Sequence, residues 1–374
     1  MRILVDYRPA LRERTGVGEY VHELVRAYTA LPEASADEVS LFTSSWKDRP
    51  VRGLGRELNA RVIDRRIPVA LLNYLWHRRE WPPVEALAGA ADVVHGQHPL
   101  LIPARRAAQV ITIHDLFFLA APERTRGEIR RDYAALAAGH ARRADAIVVS
   151  SEYTATLVAE RLDVTSDRIY VCPAGAPQWL TRDARAPDAQ KYLLFLGTLE
   201  PRKNLGVLLD AYASLLARDV PVPPLVLAGR STPEAAEWLE RTQRAPLTGH
   251  VEHRGYVASG DRAALYAGAR LLVMPSLDEG FGLPVLEAMS AGVPVVASRR
   301  GSLPEVAGDA AVLVDATDVP GFANAIERVL RDQAFAQDLA ARGVARAAHY
   351  SWAHAAAAAR RAYVDAIARR RERA

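Results

Sequence analysis

Short apolar runs alternate along this chain with longer stretches of helical spacing. Residues 2–6, 39–43, 92–95, 109–113, 146–149 and 169–171 read as buried strands. Between them lie segments such as 128–144, and a helix that places Tyr20, Val21, Leu24 and Val25 on one face. Short strands separated by helices predict a parallel, doubly wound α/β sheet. Residues 173–190 break the rhythm with Pro173, Gly175, Pro177 and Pro187. The rhythm then restarts with strands at 192–197, 225–229, 251–256, 271–274, 293–297 and 311–314, and a helix at 204–217. The pattern therefore predicts two Rossmann-like domains, residues 1–176 and 191–352, joined by a linker at 177–190. A final Ala- and Arg-rich helix covers about 353–374. Two such domains facing each other leave a crevice at the carboxyl ends of their strands, where ligands bind.

Composition narrows the class. Half of the 374 residues are hydrophobic and a quarter are charged, which describes a globular chain and not a disordered one. No segment approaches the roughly 20 apolar residues of a membrane span, and the first strand begins at once, without a signal peptide. The single cysteine, Cys172, fits a reducing cytoplasm. Net charge is only +4, but arginines cluster at 61–79 and in the tail Arg369-Arg370-Arg371-Glu372-Arg373. That bias suits phosphate-bearing substrates or an anionic membrane surface. Nothing resembles a nucleic-acid-binding module. Residues 64–83 mix Arg65, Arg66, Arg78 and Arg79 with Leu71, Tyr74, Trp76 and Trp81. This composition is that of an interfacial segment, or of a helix packed under a loop.

Candidate chemistry gathers at predicted strand ends. Ser276–Glu287 reads S-L-D-E-G-F-G-L-P-V-L-E after an apolar run. Gly280 and Gly282 allow close backbone approach, and Pro284 suits a first helical turn. Glu279 stands before the turn and Glu287 in the helix, each an acceptor for sugar hydroxyls. Glu200-Pro201-Arg202-Lys203-Asn204 closes the second domain's first strand with two adjacent cations suited to a diphosphate. In the first domain, Gly16-Val17-Gly18 opens a helix, where a phosphate is favoured. His114-Asp115 ends one strand, and His95 and His98 end another. Their spacing fits no common zinc motif.

Taken together these segments resemble the retaining glycosyltransferases of family 4. The resemblance rests on Thr15-Gly16-Val17-Gly18, His114-Asp115-Leu116, Glu200-Pro201-Arg202-Lys203-Asn204 and the paired-glutamate motif, in the family's order. Two positions depart from it: Glu19 stands where arginine is usual, and Thr198 where many relatives carry arginine. The resemblance implies a GT-B fold and a nucleotide-sugar donor, with no metal or other cofactor. It implies catalytic roles for His114, Glu279, Arg202 and Lys203. It implies donor contacts from Gly16, Gly18, Arg202, Lys203, Asn204, Tyr256, Val257, Glu279, Gly280, Phe281, Gly282, Leu283 and Glu287. Arg262 is a candidate for a purine carbonyl, Glu305 supports the nucleotide pocket, and His95, His98 and Asp115 line the acceptor side. The closest flavour is that of bacterial mannosyl- and deoxyhexosyltransferases of surface polysaccharide assembly. That implies a GDP-sugar such as GDP-mannose, a saccharide or lipid-linked saccharide acceptor, and peripheral contact with the inner face of the cytoplasmic membrane. A UDP- or dTDP-sugar donor, a GT-B epimerase or phosphorylase, and a nucleotide-binding module without turnover stand as alternatives.

Overall fold

The computed structural model describes residues 1–11, 14, 16–122, 132–179, 191–218 and 221–373. The chain divides into two compact units, Met1–Gly175 with Ser351–Ala374, and Ala176–Tyr350.

The first unit holds strands β1 (Arg2–Asp6), β2 (Glu38–Thr43), β3 (Arg61–Asp64), β4 (Val93–Gly96), β5 (Ala108–Ile113), β6 (Ala146–Val149) and β7 (Ile169–Val171). They form one sheet in the order β3-β2-β1-β4-β5-β6-β7, every pair parallel. Residues of β4 and β6 are buried throughout, as expected of strands covered on both faces. The edge strand β3 was not evident in the sequence, because only Ile63 of its four residues is buried and charges stand at both ends.

The final helix, Trp352–Glu372, belongs to this unit and lies against β5, β6 and the helix Gly16–Thr29. Its contact face is a row of small residues, Ala355, Ala358, Ala359, Ala362 and Ala366, which lets the backbone approach the sheet closely. Polar ties fix its register. Tyr170 Oη donates to Asp365 at 2.6 Å, and Arg369 donates to the Asp167 carbonyl at 2.6 Å. The chain leaves the unit at Gly175 and re-enters it at Ser351, where the two stretches of chain pack so closely that a Cβ added to Gly175 would lie 2.2 Å from the Trp352 nitrogen.

The second unit holds β8 (Tyr192–Leu196), β9 (Leu225–Ala228), β10 (Val251–Gly255), β11 (Ala269–Met274), β12 (Val295–Ser298) and β13 (Val312–Val314). Their order is β10-β9-β8-β11-β12-β13, again all parallel. The strand order reverses between β8 and β11 here, and between β1 and β4 in the first unit. Loops diverge at such a switch point and leave space for a ligand beyond the carboxyl ends of the strands.

Of the expected linker, residues 180–190 lie outside the described residues. Pro177 and Trp179 pack within the second unit: Ser290 Oγ donates to the Pro177 carbonyl at 2.7 Å, and the Trp179 ring lies 5.5 Å from Tyr266. Among the described residues, no helix is long and apolar enough to cross a membrane.

Candidate active site

The switch point of the second unit gathers the two strongest sequence motifs. After β8 the chain makes a one-turn helix, Pro201–Lys203, started by proline and ended by Asn204 in the left-handed region at φ 57°. After β11 it runs through Ser276–Gly282 into the helix Leu283–Ser290. The two loops are stitched together by the Leu277 amide, which donates to the Arg202 carbonyl at 2.8 Å.

Between them sits the Glu279 carboxylate, 5% exposed. Its Oε1 accepts from Lys203 Nζ at 2.5 Å and from Ser276 Oγ at 2.7 Å, and its Oε2 from Arg202 Nη1 at 3.0 Å. Burial by itself would raise this carboxyl. The Lys203 and Arg202 charges, with the hydrogen bonds, outweigh burial and hold it at about 2. The Glu279 carboxylate is thus ionised at neutral pH, and the arrangement suits an anionic, hydroxyl-rich ligand.

The two cations are not equivalent. The Arg202 fork is divided among Glu200, the Asp278 carbonyl and Glu279. Lys203 spends one donor on Glu279, and its stem lies over Gly197, whose added Cβ would be 3.4 Å from Lys203 Cε. Lys203 is therefore the stronger candidate for an incoming phosphate.

Several supports were invisible in the sequence. Ser302 donates to the Glu279 carbonyl from both its amide and its hydroxyl, each at 3.0 Å. Beside it Gly301, at φ 62°, packs so tightly that a Cβ would fall 2.5 Å from the Glu279 nitrogen and oxygen. A side chain there would push Glu279 out of register. The signal available was the Gly-Ser pair itself, in a loop otherwise read only for Glu305. That residue sits in the short helix Leu303–Ala307, and its carbonyl accepts from Arg346 at 2.6 Å.

Gly280, Phe281, Gly282 and Leu283 form the turn into the next helix. Gly282 takes the left-handed conformation at φ 95°, and Phe281 is buried edge-on against Tyr350. Amides at such a helix start have no carbonyl one turn back to receive them. Glu287 follows on the helix, 5% exposed, and accepts from Arg262 Nη1 and Tyr266 Oη at 2.8 Å each.

Two expectations are corrected here. The Arg262 guanidinium is 8% exposed and paired with Glu287, so its charge supports that carboxylate in place of reading a base. Asn204 sends its side-chain amide to the Pro275 and Ala316 carbonyls at 3.0 and 2.7 Å, so its NH2 group binds three loops of the protein together and is not the donor that would meet a ligand. Tyr256 and Val257 are half-buried in the loop beyond β10. That edge strand lies two positions from β8, about 10 Å away in the sheet. Breaking the buried Arg262–Glu287 pair with Arg262→Leu is expected to cost about 3–5 kcal/mol, because it leaves a carboxylate without its countercharge. Urea unfolding measures this, and Arg262→Lys should restore part of the loss.

In the first unit, His114 follows β5, with its ring edge-on to Tyr20 at 5.2 Å. Burial pushes the imidazole down to about 4, so it is neutral at pH 7. Its Nε2 is buried and has no hydrogen-bond partner among the described residues, a costly state that a ligand hydroxyl would relieve. Gly16 begins the helix Gly16–Thr29, and Gly18 lies in its first turn, while Thr15 lies outside the described residues. An added Cβ on Gly18 would meet the Pro9 carbonyl at 2.7 Å, so a protein neighbour already requires glycine there.

The acceptor assignments fare differently. His95 is fully buried, its Nδ1 bonded to Tyr363 Oη at 2.8 Å and its Nε2 to Thr112 Oγ1 at 2.7 Å. It is a tie between β4, β5 and the last helix and does not line an acceptor site. Asp115 accepts from the Phe117 amide at 3.1 Å, closing the turn into the helix Phe117–Ala120. Its role is at least partly structural. His98 lies close to Asp6, with Nε2 3.7 Å from Oδ2, stacked on Tyr133 and edge-on to His77.

Two doubly wound parallel sheets are the architecture of the GT-B fold, and solved structures share it. Sucrose-phosphate synthase from Thermosynechococcus elongatus superposes with a TM-score of 0.77 at 22% identity, covering 97% of this chain and 98% of its own. WaaG, a glycosyltransferase involved in lipopolysaccharide biosynthesis, gives 0.72 at 17% identity, covering 96% and 98%. The chain belongs to glycosyltransferase family 4: the model described as Glycosyltransferase Family 4 matches residues 14–177, and that of Glycosyl transferases group 1 matches residues 180–346. The O-antigen chain mannosyltransferase B of Escherichia coli is 32% identical over 382 residues, covering 94% of this chain and 96% of its own.

Proposed function

We propose that this glycosyltransferase moves mannose, or a related hexose, from a GDP-sugar to a saccharide or lipid-linked saccharide acceptor in polysaccharide assembly, with retention at the anomeric carbon. The observation that carries the reading is the Lys203–Glu279–Arg202 cluster at the carboxyl ends of β8 and β11. The sugar rests on similarity to a mannosyltransferase along nearly the whole chain.

On this reading the diphosphate lies against Lys203, with Arg202 behind it, and Glu279 and the turn amides of Phe281–Leu283 hold sugar hydroxyls. Glu287 accepts from the ribose hydroxyls, and Tyr256 and Val257 flank the base. As the glycosidic C–O bond breaks, negative charge grows on the β-phosphate, and fixed positive groups already in place stabilise it. The acceptor hydroxyl attacks from the same face, forms the new C–O bond and passes its proton to the departing phosphate. Lys203 and Arg202 supply the positive charge for this step, so the proposal requires no metal. The first unit is assigned the acceptor, while His114 keeps the role beside the donor sugar, and the Gly18 amide the role toward phosphate, that the resemblance implies.

We assign the reaction to the cytoplasm, with peripheral contact at the inner membrane face through the helix Val69–Arg79. That helix buries Leu72 and Trp76 and exposes Leu71, Tyr74 and the basic pair Arg78 and Arg79.

The nucleotide test is direct, because a ligand that binds only the native state raises its apparent stability. GDP is expected to raise the melting temperature, while UDP, dTDP and ADP at equal concentration do not. A shift with UDP or dTDP alone replaces the donor and leaves the reaction standing. No shift with any nucleotide at saturation overturns the donor site.

A further inference from the structure

The arginine-rich tail has no assigned part in the transfer reaction, yet two of its arginines, Arg370 and Arg373, line a cavity. The last helix turns Arg370 and Arg373 into a cavity of about 650 Å³ in the first unit, shared with Arg105, Arg142, Arg143 and the Trp81 ring. Arg105 lies in the turn before β5, and Arg142 and Arg143 end the helix Ala134–Arg143 just before β6. The cavity therefore opens at the amino ends of β5 and β6. His114 lies beyond the other end of β5, about 20 Å away along a six-residue strand.

Five guanidinium groups meet few countercharges here. Arg143 is paired with Glu80 at 2.6 Å, and Arg373 with the buried Asp145 at 3.2 Å. These two pairs brace the wall. The Arg105, Arg142 and Arg370 side chains have no carboxylate partner among the described residues, and Arg370 donates only to the Arg105 carbonyl, at 3.3 Å. A solvated basic face would spread such charges apart. Three helix and loop ends instead aim them into one concavity, beside an exposed indole.

We propose that this cavity is a second anion site, separate from the transferase chemistry, that takes a phosphate-bearing group. Guanidinium forks suit phosphate oxygens, to which each can donate two parallel hydrogen bonds. The indole at the rim supplies an apolar shelf, 61% exposed, for whatever carries the phosphate. That carrier is either a lipid whose headgroup enters the cavity or a free phosphate compound.

The test compares the full chain with a triple variant, Arg105→Ala, Arg142→Ala and Arg370→Ala, by calorimetric titration with inorganic pyrophosphate. All three side chains lack ion pairs among the described residues, so the variant should fold as the parent does. The parent is expected to bind one more equivalent than the variant, or to bind at least tenfold more tightly, with the difference shrinking at high salt. Identical isotherms overturn the site. The donor groups are intact in both proteins, so failure of the donor reading would remove nucleotide binding equally from each and leave this difference untouched. Cosedimentation with phosphatidylglycerol vesicles, against phosphatidylcholine controls, identifies the source. Binding by the parent alone, reversed by pyrophosphate, assigns a lipid headgroup. A calorimetric difference without cosedimentation assigns a free phosphate compound.

Discussion

Replacing Lys203 by alanine is expected to slow sugar transfer about 100- to 1,000-fold, the usual cost of removing one fixed group that faces charge developing in a transition state. The fold should survive the change. Glu279 loses its shortest contact but keeps Arg202 at 3.0 Å and Ser276 at 2.7 Å, so no buried carboxylate is left alone. The stability lost is that of one charge-assisted hydrogen bond, about 1.5–3 kcal/mol. Arg202 cannot take over the work, because its fork is already divided among Glu200, the Asp278 carbonyl and Glu279. Lys203→Arg should rescue little, since the lysine stem lies in a slot over Gly197 that a guanidinium would overfill. Initial rates at saturating donor, with thermal unfolding as a control, measure the effect. A folded Lys203→Ala protein within threefold of the parent rate would show that the transition-state charge is met elsewhere.

The fold was readable because both sheets are parallel and covered. Each central strand is a short apolar run, and the turns between runs carry glycine or proline. The strand that escaped, β3, lies at an edge, where one buried residue, Ile63, gives no pattern. The site was readable only as motifs. Which groups meet depends on contacts that local sequence does not record. Glu279 finds Lys203 and Arg202 across more than seventy residues of chain. His95 and His114 both follow apolar runs at strand ends, and nothing local distinguishes them. One is locked by Tyr363, 268 residues away, while the other leaves a ring nitrogen unmatched among the described residues. Asn204 read as a ligand contact because it follows the two cations, but its amide serves Pro275 and Ala316. The same distance hid the arginine cavity, since its walls come from four segments and close only when the last helix returns to the first unit.

Mild acid is expected to unfold the first unit before the second. Burial, the largest influence on each, depresses the His95 and His98 imidazoles to about 3 and that of His114 to about 4, against 6.5 for the free side chain. Because the folded values lie below the unfolded one, the unfolded chain takes up protons first as pH falls through 6.5. Stability is therefore full above that pH and declines steadily toward pH 4. At pH 5 each histidine withdraws about 2 kcal/mol, from about 1.36 kcal/mol per pH unit. Three together remove about 6 kcal/mol, comparable to the whole stability of an ordinary domain. The second unit depends instead on carboxylates such as Glu279. Its stabilising effect, held against burial by Lys203 and Arg202, persists until pH falls below about 4.5 and is lost toward about 2. Scanning calorimetry between pH 7.5 and 4.5 should therefore resolve one transition that moves down steeply below pH 6.5 and another that holds nearly still. Equal downward movement of both would mean that the buried histidines of the first unit do not set its acid limit.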